Sequence, residues 1–158
     1  MNTPGKNVLG DAVVEDQARV YGRAVVRGYA RVRDSALVTD SAIVRDSALV
    51  SGAARVTGNA RVTGNARVTG TARVTGNARV AGRATVFGNA EVEGNAEVAD
   101  NAVVSGEATV SGNAVVSGNA IVRDKARIGG DAEILGGIWD GSEGEITSGR
   151  WKAPGFPA

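Results

Sequence analysis

The sequence predicts an all-β solenoid, in which short strands joined at tight corners coil so that successive coils stack. Three observations carry that reading. A six-residue period runs without slippage from Val8 to Gly136, with alanine at every sixth position from Ala12 to Ala132. Valine or isoleucine holds every sixth position from Val8 to Ile134, the isoleucines being only Ile128 and Ile134. Glycine or aspartate holds every sixth position from Gly10 to Gly136, as 16 Gly and 6 Asp. The unit is plainest in Asn59-Ala60-Arg61-Val62-Thr63-Gly64.

The strand comes first. At about 100° per residue a helix would rotate successive hexads by about 240° and scatter alanine and valine around its surface. Extended backbone instead puts Ala60 and Val62, two apart, on one face and sends Arg61 to the other. The corner follows, because Gly, Asp and Asn tolerate positive φ and supply turn chemistry. The coil comes last. A single hexad buries too little to persist alone, so hexads must stack to pair their backbones and enclose the Ala/Val face.

Three hexads per coil place residue i beneath i+18. Asn59, Asn77, Asn95 and Asn113 then form an unbroken column, with Ser41 before it and Asp131 after it. Stacked amides hydrogen-bond along such a column. Arg73 and Arg79 come to lie beneath Glu91 and Glu97. The division that results is a lead-in over 1–7, a β-helix over 8–136 of about seven coils and roughly 34 Å, and a C-terminal cap over 137–158.

Composition narrows the chemistry. The chain of 158 residues has Cys 0 and His 0, which removes disulfides, thiolate and imidazole metal ligands, cysteine nucleophiles and imidazole bases. Its net charge of +1 disfavours wholesale coating of nucleic acid. No apolar run approaches the roughly 18 residues of a membrane span, and Met1 to Gly10 lacks the pattern of a signal peptide. A cytoplasmic protein is expected, without a membrane partner.

Valine at one position, a small residue four later, and Gly/Asp then Asn between them resemble the hexapeptide-repeat superfamily. The resemblance covers about 127 of the 158 residues and implies a left-handed parallel β-helix. Within that superfamily the chain looks most like phage-borne and bacterial N-A-R-V repeat proteins, labelled acyltransferases by similarity alone. The resemblance therefore implies an acyl donor bound between subunits and a histidine base beside a loop leaving the coil. This chain has neither the histidine nor, between Val8 and Gly136, an interruption of the period.

Each remaining motif has a structural explanation. Glu91, Glu93 and Glu97 read as solvated surface, since exposed carboxylates keep low pKa values and suit a base badly. The glycines read as corners, no G-x-x-x-x-G-K-[ST] being present. Asp16, Asp34, Asp40, Asp46, Asp100 and Asp124 replace glycine in turns, at a spacing that fits neither an EF-hand nor a nonapeptide calcium roll. Arg55, Arg61, Arg67, Arg73 and Arg79 distribute over three faces, so a nucleic-acid stripe is not expected. Thr57, Thr63, Thr69 and Thr75 disperse in the same way, against a flat ice-binding grid.

Two features point outward. Residues 1–83 carry a net +7 and residues 84–158 a net −6, so the rod has a positive half and a negative half suited to head-to-tail or partner docking. The tail holds Trp139, Trp151 and Phe156, candidates for a cap over the last coil or for a protein interface. The lead-in is short and polar, and Tyr21 and Tyr29 lie too far along to cover that end.

The expectation is a non-enzymatic structural or interaction rod with no catalytic, cofactor or metal residues and no cofactor. Its partner is protein, a second copy or another chain, with a trimer among the oligomers considered. Nucleic acid and small molecules are not expected as ligands. The family likeness suggests a phage or prophage particle component, and hence a virion as a second location. The alternatives are an acyltransferase-like protein with a subunit-interface site, and a polymer-forming rod.

Overall fold

The computed structural model describes residues 7–153 and the backbone of 156–157. It is a parallel β-solenoid of about eight coils with three flat faces, each a sheet whose strands come from every third hexad. The first face runs from Val8–Gly10 to Arg150–Ala153, the second from Val13–Val14 to Ile138–Trp139, and the third from Arg19–Val20 to Glu145–Ile146. Register partners are 18 residues apart through the repeat, as in Arg61 with Arg79 and Arg67 with Thr85.

The pattern Ala-x-Val dictates this packing. Every Ala from Ala18 to Ala132 and every Val or Ile from Val26 to Ile134 at the periodic positions is buried, and together they form one continuous core. Burying a valine contributes roughly 1.5–3 kcal/mol, while ordering each residue costs about 1–2 kcal/mol, so a core this slender needs a complete hydrogen-bond ladder. The ladder is present. In the hexad at Asn59, Arg61 N–H donates to Ala78 C=O at 2.9 Å, Thr63 N–H to Val80 C=O at 2.9 Å, and Asn65 N–H to Gly82 C=O at 2.7 Å.

Corners close through a local bond, such as Ala60 N–H to Thr57 C=O at 3.3 Å, around a residue with positive φ. Glycine suits the position on two counts. At Gly52 (φ 69°) a Cβ would also lie 2.7 Å from the Gly70 carbonyl oxygen of the next coil. Yet all six corner aspartates adopt the same conformation, with φ between 57° and 64°. Their side chains show what offsets the strain. Asp34, Asp40, Asp46 and Asp100 each accept, through Oδ2, the corner N–H one coil on, at 2.8–3.0 Å.

A comparison of two substitutions at Asp46 follows. Asp46→Ala keeps the positive φ, which costs about 1–2 kcal/mol, and loses the bond to Gly64 N–H, so a loss of about 2 kcal/mol is expected by denaturant unfolding. Asp46→Gly loses the same bond but relieves the backbone, and is expected within about 0.5 kcal/mol of the parent. Equal losses would mean that the bond, and not the backbone, governs the corner.

The coil runs further than the repeat, whose seven coils are followed by one more. Ile121 pairs with Ile138, Arg127 with Glu145 and Glu133 with Arg150, so residues beyond Gly137 add an eighth coil in parallel register. Its spacing is uneven, because two of its three sides are reached in 17 residues, and Gly137, Gly144 and Gly149 stand where the repeat has alanine. Past it, Phe156–Pro157 folds back antiparallel on Arg150–Ala153.

Candidate functional site

The tryptophans take valine positions in this last coil. Trp139 is the register partner of Val122 and Trp151 that of Ile134, so both rings turn toward the prism. Trp139 is 1% exposed and Trp151 half-buried, and the rings meet edge to face with centroids 6.2 Å apart. Each indole is satisfied three residues back: Trp139 Nε1 donates to Gly136 C=O at 2.8 Å and Trp151 Nε1 to Ser148 C=O at 2.9 Å. Trp139 belongs to the continuous core and Trp151 packs against it. The side chain of Phe156, the third aromatic candidate, lies outside the described residues, as do residues 1–6 of the lead-in over 1–7.

The asparagine column stands on the corner between the third and first faces. Asn59 Nδ2 donates to Asn77 Oδ1 at 3.1 Å, Asn77 to Asn95 at 3.0 Å, Asn95 to Asn113 at 3.0 Å, and Asn113 to Asp131 Oδ1 at 2.9 Å. Asn77, Asn95 and Asn113 each accept from the asparagine one coil before and donate one coil on, so their amide orientation is set by their neighbours. The column is exposed, and its chemistry is that of a surface zipper that ties one coil to the next.

The faces separate most linear motifs. Arg55 and Arg73 stack on the third face, Arg61 and Arg79 on the first, and Arg67 alone of that run lies on the second. Arg73 pairs in register with Glu91, and Arg79 with Glu97. The carboxylates Glu91, Glu93 and Glu97 are half-buried on open faces, with no ion pair among the described residues. Among the described residues no group of three or more carboxylates is arranged to hold a metal ion. One carboxyl is perturbed: Asp140 is held below its usual value, first by the Ser142 hydroxyl and then by Ser142 N–H, which donates to it at 3.0 Å.

The structure also assembles a cluster that the linear run of arginines conceals. Arg31, Arg33, Arg67 and Arg83 line an open trough of about 710 Å³ on the positive half of the second face, with Leu49 between Arg31 and Arg67. No carboxylate lines it, and none of the four arginines makes an ion pair among the described residues. Taking arginine positions modulo 18 would have exposed the pair Arg31 and Arg67, which differ by two full coils. A second hollow, about 520 Å³, opens at the C-terminal end beside Trp139, Trp151, Glu143 and Glu145.

With this geometry in view, comparison with known proteins adds one family. Residues 108–124, about one coil, match the model of the YdcK beta solenoid repeat. No curated protein and no solved structure matches the chain. Among the described residues no helix is long and apolar enough to cross a membrane. The family match and the three-sheet coil agree that the chain is similar to β-solenoid repeat proteins, and its architecture is a repeat β-helix.

Proposed function

We propose that this chain is a non-enzymatic structural or interaction protein, a stiff rod that holds outward side chains in fixed columns and engages protein partners, further copies of itself included. One observation carries the reading: from Val8 to Gly136 every hexad returns to the coil, so that described side chains point either into the prism or onto a flat face or corner. Such a rod presents chemistry as a ruled surface, and the Arg-lined trough and the C-terminal hollow both open to solvent. The division of charge into a +7 half and a −6 half supports docking of complementary surfaces. The likeness to phage-borne repeats supports a particle or tail component as its setting.

The rival reading, an acyltransferase working at a subunit interface, is tested by titrating acyl-coenzyme A into the protein in a calorimeter. No saturable heat is expected. A dissociation constant in the micromolar range, about −8 kcal/mol, would overturn the proposal in favour of the enzyme.

A further inference from the structure

The Arg-lined trough has a counterpart on the same molecule. Arg31, Leu49 and Arg67 succeed one another up the second face, one coil apart. Glu97, Val115 and Glu133 succeed one another up the first face at the same interval. Both are charge–apolar–charge columns two rungs long, on the order of 9.6 Å. Their signs are opposite.

We propose that the second face of one rod docks on the first face of another with the two axes antiparallel, seating Arg31 against Glu133, Leu49 against Val115 and Arg67 against Glu97. The inference rests on the rod reading above and names the surface through which the rod associates. Turning one rod end over end to face another keeps the strands aligned, so the column before each inward valine meets its equivalent, and so does the column after it. The rest of the contact is then determined.

Further along the first pair of columns, Ile121 meets Ile43 and Ile138, half exposed in the free rod, meets Val25. In the second pair, Phe87, 41% exposed, meets the small Ala81. At the ends of these columns Asp140 meets Arg27 and Glu15 meets Lys152. One like-charge meeting occurs, Arg123 with Arg45, and each of these already has its own aspartate, Asp124 at 3.4 Å and Asp46 at 3.9 Å, while three arginines fall opposite apolar side chains, Arg33 with Leu135, Arg61 with Val103 and Arg150, which keeps its Glu133 partner, with Val13.

Register is selective. Sliding one rod by a coil in one direction sets Arg67 against Arg79, and in the other sets Arg31 against Arg150. This favours a second copy over a nucleic acid as the occupant, since a phosphate chain would leave Leu49, Ile121 and Ile138 without apolar partners. The face is about eight rungs tall and about five residues wide, on the order of 600 Å² per rod, close to the roughly 800 Å² per partner of a specific interface. Because the two surfaces differ, each docking leaves one of each kind free, and association continues as a ribbon of alternating rods.

Charge reversal tests the proposal. Sedimentation of the full chain at about 20 mM salt is expected to show concentration-dependent association that weakens steeply at about 0.5 M. Arg67→Glu and Glu97→Arg, both on the outer surface, are each expected to weaken association about 10- to 100-fold while the chain stays folded, with melting unchanged in the first and slightly lowered in the second, which sets an arginine in register with Arg79. Glu133 is the poorer choice because Arg150 already holds it at 3.1 Å. The double variant R67E/E97R, and an equimolar mixture of the two single variants, are expected to recover association. A protein that stays monomeric at low salt, single variants that associate normally, or a folded double variant that fails to recover would each overturn the assignment. So would a monomer that binds a short oligonucleotide through Arg31 and Arg67. Acyl-coenzyme A titrated into the same samples reports separately on the rod reading, which survives if association persists but ignores both reversals.

Discussion

Val68→Asp is expected to abolish cooperative unfolding, leaving a chain that aggregates or shows no thermal transition by circular dichroism. Val68 is 0% exposed in the middle of the stack, between Val50 and Val86 in register. A carboxylate there has no cation within the prism, whose lining is alanine and valine, and desolvating an unpaired charge costs several kcal/mol even after the group neutralises itself. In a solenoid each coil touches only its neighbours, so a disrupted central coil uncouples the two halves. A soluble variant with unchanged melting would show that Val68 does not face inward.

The second large effect is expected at the other kind of position, the end. Trp139→Ala removes a fully buried ring and its edge-to-face contact with Trp151, a change of about 3–5 kcal/mol in a closed core. Because this ring sits in the last coil, the loss is local: amide exchange over 137–153 is expected to accelerate about 100-fold or more while Ala60 to Val80 keeps its protection. Uniform acceleration throughout would mean that the rod unfolds as one unit and that the ring stabilises every coil equally.

How much of this was legible in the sequence depends on the residue. The prism was legible because alanine and valine sit where only one face of an extended strand can bury both, and six residues divide evenly into three-sided coils. The corner aspartates were legible as glycine replacements, but not as acceptors for Gly52, Gly58, Gly64 and Gly118 N–H, since that bond crosses from one coil to the next. The asparagine column could be read by counting in 18s. The eighth coil could not, because its sides close in 17, 18 and 17 residues and tryptophan stands in for valine at Trp139 and Trp151. The Arg31 and Arg67 trough was hidden for another reason: its members lie 36 residues apart, and the eye follows the denser run from Arg55 to Arg79, which the fold disperses.

The central claim, that residues 18 apart stack on one face, is tested most directly by paired cysteines in a chain that has none of its own. Arg55 and Arg73 are register partners, about 4.8 Å apart by strand spacing, whereas Arg55 and Arg67 lie on different faces. With a short bis-thiol reagent, R55C/R73C is expected to bridge within one molecule nearly completely and R55C/R67C hardly at all. Equal yields, or the reverse order, would contradict the three-sided coil.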